Sequence, residues 1–144
     1  MGAASAAQID DLGIVPATRL AMMAAVAALP LRPDFVLVDA VRLPDLGIPH
    51  QAVIKGDDLS VSIAAASIVA KVVRDRQMVE LDRQHPGYGF ARHKGYPTET
   101  HLECLAGLGP CPEHRRSFRP VAELMGAGDT ESEGVADWPC SGKA

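Results

Sequence analysis

Apolar positions recur at helical spacing from the start of the chain. Ser5 and Gln8 form a capping-box pair, and Ile9, Leu12 and the stretch from Ile14 to Leu29 return every three or four residues, which predicts two helices broken near Gly13. Pro30 and Pro33 end the second. Phe35-Val36-Leu37-Val38 is then a short, wholly apolar run, the pattern of a strand covered on both faces, and it places Asp39 where that strand stops. Residues 42–49 hold two prolines and a glycine and read as a loop. Ala52-Val53-Ile54 is a second short strand leading into Lys55-Gly56-Asp57-Asp58. The longest helix is predicted from Ser60 to about Arg83, with Ile63, Ala66, Ala70, Val73, Gln77 and Leu81 on one face. Small residues dominate its first half, so it can lie close to a sheet, and Pro86-Gly87 stops it. Tyr88 to Pro97 mixes glycine, aromatic and basic residues without periodicity, a candidate functional loop. Thr98 to Leu108 is helical again and ends at Gly109-Pro110.

Strands alternating with helices argue for an α/β fold. Two strands alone leave long edges unpaired, so the sheet reads as incomplete and marginal by itself. At 144 residues, 47% of them hydrophobic, the chain fits one domain, assigned to residues 1–125. Residues 126–144 are rich in Gly, Asp, Glu and Ser around a lone Trp138, and are expected to form a disordered tail. A formal net charge of -4 gives no global attraction to nucleic acid, so any phosphate-binding surface has to be local. Cys104, Cys111 and Cys140 lack metal-type spacing, and no signal peptide is visible, which points to a reducing cytoplasm. The longest apolar run, around Leu20 to Leu31, is broken by Pro30 and too short to span a bilayer, so no membrane partner is expected.

Two carboxylates follow strands, and strand ends in α/β sheets are where side chains from distant parts of a chain converge. Asp39 and Asp57 therefore suit oxygen coordination of Mg²⁺ or Mn²⁺. Each also has a purely local reading: Asp39 as a turn residue, Asp57 as a first-turn acid facing a helix dipole. Basic residues cluster at Arg92, His93 and Lys94, and again at His114, Arg115, Arg116 and Arg119. Such patches neutralise phosphates or are solvated faces. Arg115 and Arg116 equally suit pinning of the C-terminal segment through planar hydrogen bonding, and His93 either contacts phosphate or caps nearby backbone. Tyr88, Phe90 and Phe118 read as packing residues.

Several runs together resemble ribonuclease HII in order and spacing. They are Phe35 to Asp39, Lys55-Gly56-Asp57, Ile63 to Val72, Arg74-Asp75-Arg76, Pro86 to Phe90, His93 to Thr98, His101-Leu102 and His114 to Phe118. The likeness covers roughly residues 4–120. It implies a ribonuclease H-like mixed sheet flanked by helices, incomplete here, with a C-terminal helical segment. It also implies metal-dependent endonucleolytic cleavage of RNA in RNA–DNA hybrids, or at single ribonucleotides embedded in DNA, by a monomeric enzyme of replication and repair. In that family four carboxylates act. Asp39 and Asp57 match the third and fourth, as catalytic metal ligands for Mn²⁺ or Mg²⁺. Tyr96 matches the tyrosine that reads the junction beside the ribonucleotide, where recognition of a 2′-hydroxyl separates RNA from DNA. Lys55, Arg92, Lys94, Arg115 and Arg116 are the further nucleic-acid-binding candidates, and Lys94 and Tyr96 are expected to border the groove that holds the acids.

The departures from the family pattern are specific. The family's opening strand with adjacent Asp-Glu, and the Gly-Arg-Gly loop after it, have no counterpart in this sequence, so the chain is expected to begin mid-domain. Ala40 stands where a glycine is usual, a change expected to be tolerated. With two of four acids, an inactive or hybrid-binding fragment is the alternative to an active nuclease, and the open sheet edge raises the further possibility of a chain that is not stable alone.

Overall fold

A computed structural model describes residues 1–127, which divide into two compact units, one spanning Met1–Val72 and the other running from Val73 onward. The expected tail lies outside the described residues except for Gly126 and Ala127, which finish a helix.

The first unit contains α1 (Ala6–Leu12), α2 (Ile14–Ala27), β1 (Val36–Asp39), β2 (His50–Val53), α3 (Gly56–Leu59) and the first half of α4 (Val61–Gln84). The capping box forms as the sequence predicts: Ser5 Oγ accepts from the Gln8 N–H at 3.2 Å, and Gln8 Oε1 accepts from the Ser5 N–H at 2.9 Å. Gly13, with φ of 83°, separates α1 from α2, a conformation that favours glycine.

β1 and β2 pair in parallel, with Val36 opposite His50 and Asp39 opposite Val53. The described sheet is therefore a parallel pair, consistent with the incomplete sheet expected of this α/β fold. β2 also starts earlier than the apolar run suggests, taking in His50 and Gln51 and excluding Ile54, which is 78% exposed. The connection between the strands is tied down by His50, whose Nε2 accepts from the Leu43 N–H at 3.2 Å, and Leu43 is fully buried.

The expectation that β1 is covered on both faces is not met. Val38 is buried, but Phe35 and Leu37 are 53% and 42% exposed. Successive side chains of a strand point to opposite faces, and the described elements cover the Val38 face more fully. An apolar groove of about 690 Å³ runs along β1, walled by Ala17 and Met22 of α2 and by Ile63 and Ala66 of α4.

The second unit holds the rest of α4, then α5 (Phe90–His93), α6 (Glu99–Leu108) and α7 (Arg119–Ala127). Its core is Tyr88, Phe90, His93, His101, Cys104, Leu105 and Val121. Tyr88 and Phe90 stack with centroids 5.3 Å apart, consistent with their assignment to packing. The segment read as an irregular loop contains one helical turn, α5, bracketed by left-handed residues Gly89 and Lys94. A single turn between two such residues is too short to leave a periodic trace. Thr98 caps α6 by accepting from the His101 N–H at 3.3 Å, and α7 supplies the expected C-terminal helical segment. No described helix is long and apolar enough to cross a membrane.

Candidate functional site

In the first unit the two acids are brought to the same end of the parallel pair. Asp39 is the last residue of β1, and its Oδ1 accepts a hydrogen bond from the Gly56 N–H at 2.9 Å. Lys55 makes this possible: its left-handed conformation, φ 54°, turns the chain leaving β2 so that the first peptide of α3 points back at β1. Gly56 is buried, and a Cβ there would sit 2.6 Å from Ile63 Cδ1 and 3.3 Å from Asp39 Oδ1. The close approach thus favours glycine, since any larger residue would have to displace the tip of Ile63. Asp57 follows directly, exposed in the first turn of α3.

Asp39 and Asp57 are therefore linked through one peptide, Gly56, a contact between residues 17 apart for Asp39, while Asp57 occupies the first-turn position of its local reading. Asp39 receives a backbone N–H, and Asp57 is a first-turn acid. A charge-assisted bond of this kind fixes the direction of the Asp39 carboxylate. Among the described residues no three His, Cys, Asp or Glu side chains come together to hold a metal, so the carboxylate pair stands without a third protein ligand. Lys55 is exposed beside the pair in sequence.

The second unit organises the other candidates around Tyr96. Its ring is 58% exposed and lies against the Arg74 guanidinium, whose carbon is 5.0 Å from the ring centroid. Arg74 Nη2 also donates to the Lys94 carbonyl at 2.8 Å. The Tyr96 N–H donates to the His93 carbonyl at 3.0 Å, and the Tyr96 carbonyl accepts from the Thr98 N–H at 2.8 Å. Lys94 is left-handed, φ 54°, and its Nζ donates to the Ala91 carbonyl within the same turn.

His93 is buried, with Nε2 donating to the Tyr88 carbonyl at 2.8 Å and Nδ1 accepting from the Gly95 N–H at 3.1 Å. Of its two readings, the backbone cap is the one realised. Arg92 is exposed, and Arg116 is exposed. Arg115 is half-buried with its guanidinium over the Phe118 ring at 5.6 Å, which favours its pinning role.

Sequence reading passed over three residues that shape this region. Arg74 was quoted within the Arg74-Asp75-Arg76 run without a role. His101 was quoted as a motif residue without a role, although its spacing with Cys104 and Leu105 places it on the buried face of α6. His114, also quoted, has its Nε2 3.1 Å from the Nε2 of His101. Burial lowers the pKa of both rings. For His101 the hydrogen bond to Tyr96 opposes that effect and the positive charge of a protonated His93 adds to it; for His114, His101 adds most.

Comparison with known proteins adds independent information. The family described as Ribonuclease HII matches residues 2–121. A protein named Ribonuclease HII from Shewanella amazonensis is 56% identical over 127 residues, which cover 88% of this chain and 62% of the relative. The chain thus spans less than two thirds of that relative's length.

Proposed function

The chain belongs to the ribonuclease HII family, and on that premise we propose that it contributes Asp39 and Asp57 to a metal-dependent site that cleaves RNA within RNA–DNA hybrids or at ribonucleotides embedded in DNA. The observation that carries this reading is the hydrogen bond from the Gly56 N–H to Asp39, which draws the residue preceding Asp57 to the end of β1.

The donor chemistry fits a hard divalent cation, Mg²⁺ or Mn²⁺: two carboxylates, with water and substrate phosphate oxygens left to complete the shell. When bound, such an ion supplies activation of water and stabilisation of the leaving oxygen. Asp39 would hold it from a fixed direction, since one of its oxygens is anchored to backbone. Asp57, exposed on the first turn of α3, would meet it from the solvent side. In the second unit Tyr96 would lie against the ribonucleotide junction, stiffened by Arg74 beneath its ring. Lys55, Arg92, Lys94, Arg115 and Arg116 would supply positive charge to the phosphates. A monomeric protein of the cytoplasm is the setting this reading implies.

A second reading, hybrid binding without cleavage, rests on the lack of any group of three metal-holding side chains among the described residues. One experiment separates the two. Residues 1–144 are assayed with Mg²⁺ or Mn²⁺ on a labelled RNA–DNA hybrid, alone and joined to the part of the Shewanella amazonensis relative that this chain does not match. Alone, the chain is expected to cleave no faster than its Asp39→Asn variant. Joined, it is expected to cleave in a manner that depends on both Asp39 and Asp57. Cleavage by the joined protein that survives both Asp39→Asn and Asp57→Asn would remove the assignment.

A further inference from the structure

We propose that His101 and His114 form a one-directional hydrogen-bond chain that positions Tyr96, making His101 a positioning residue for nucleic-acid recognition. The functional half of this proposal rests on the reading of Tyr96 given above.

The direction of the chain follows from which atoms can donate. The carbonyl oxygen of Tyr96 only accepts, so the His101 Nδ1 that lies 2.9 Å from it carries a proton. In a neutral ring that leaves His101 Nε2 as an acceptor. His114 Nε2, 3.1 Å away, must then be the donor. His114 Nδ1 is left as an acceptor in turn, and it is found 3.1 Å from the Cys111 backbone N–H, a group that can only donate. The assignment is therefore checked at both ends by backbone atoms of fixed polarity. It closes only when both rings are neutral, which agrees with the lowered pKa of each. His93 stacks on His101, with centroids 4.0 Å apart and planes within 13°, and is fixed by its own two backbone bonds.

Where this chain ends gives it a role beyond packing. Burying imidazoles is costly unless each nitrogen is paired, and a core that needed only volume would be served by leucine. Here the pairing terminates on the backbone of the residue whose ring is most exposed in the loop. His93 holds the Tyr96 N–H through its carbonyl and Gly95 through its ring, while His101 holds the Tyr96 carbonyl. The peptide groups flanking the side chain are pinned while the ring, with Arg74 against it, keeps an exposed surface to meet a ligand. Pre-organisation of this kind improves binding by removing the ordering cost.

The test has a spectroscopic arm and a binding arm, both on residues 1–144. Long-range ¹H–¹⁵N spectra of histidine-labelled protein at neutral pH are expected to show His101 protonated on Nδ1, and His93 and His114 on Nε2. Protonation of His101 on Nε2 would overturn the chain. Binding is measured by anisotropy with a fluorescein-labelled DNA duplex containing one ribonucleotide. His101→Leu is expected to weaken binding by up to about tenfold, the scale of one lost hydrogen bond, and to add nothing further to Tyr96→Ala. His101→Asn keeps a donor near the Nδ1 position and is expected to stay within about twofold of the wild type, on the same scale. Binding unchanged by Tyr96→Ala overturns the reading of Tyr96 and the proposal with it. Binding weakened by Tyr96→Ala but unchanged by His101→Leu overturns the positioning role alone. Should His101→Leu fail to fold, His101→Asn decides: near-wild-type binding supports the proposal, and binding as weak as Tyr96→Ala refutes it.

Discussion

Replacing Ala40 with glycine should stabilise the protein. Ala40 directly follows Asp39 and adopts φ of 54°, in the left-handed region, where Cβ crowds the carbonyl at a cost of about 1–2 kcal/mol. Glycine removes that crowding but brings a more flexible unfolded chain, which costs about 0.5–1 kcal/mol. The methyl is exposed, so little packing is lost with it. The backbone bond from the Ala40 N–H to the Val53 carbonyl, 2.9 Å, does not depend on the side chain. The difference is a net gain of about 0–1.5 kcal/mol, centred on about 0.75 kcal/mol. At a urea slope of about 2 kcal/mol per molar, the unfolding midpoint should rise by roughly 0.4 M with the slope unchanged. Urea titration followed by circular dichroism reads this directly. A lower midpoint at constant slope would show that the alanine is not strained there. The sequence reading expects alanine to be tolerated at this position, and the backbone angle attaches a cost to it.

Three further outcomes are expected. Gly56→Ala places a methyl 2.6 Å from Ile63 Cδ1 and 3.3 Å from Asp39 Oδ1, and should destabilise by about 1 kcal/mol or more; wild-type stability in urea would show that the approach is looser than described. Tyr88→Phe removes the hydroxyl that donates to the Gly109 carbonyl at 2.7 Å, leaving that acceptor unpaired, and should lower thermal stability by about 1 kcal/mol, an effect whose absence in a melting scan would mean that water replaces the bond. The third concerns pH. His101 and His114 have folded pKa values below the ordinary 6.5, so the unfolded chain binds more protons near that value and stability rises with pH. Their contribution should be fully present above about 6.5 and decline as pH falls through the folded values; a His101→Asn/His114→Asn double variant should show a shallower loss across the same range, and an identical slope would remove these rings as the cause.

Local interactions made much of this protein legible from its sequence. Ser5 and Gln8, Gly13 and Pro86 act on neighbours within a turn, so their roles as caps and breaks survive in the structure. Asp39 at a strand end was visible for the same reason, because an apolar run followed by an acid is a local pattern. Tertiary structure decided the rest. Whether Phe35 and Leu37 are covered depends on which elements flank β1, and their own hydrophobicity carries no information about that. The link between Asp39 and Gly56 joins residues 17 apart and needs the left-handed turn at Lys55, a conformation lysine does not advertise. The bond between His101 and His114 spans 13 positions and depends on where the turn after α6 returns. Composition could identify five histidines, but which nitrogen of His93 and of His101 carries a proton follows from backbone atoms that only the folded chain brings within reach.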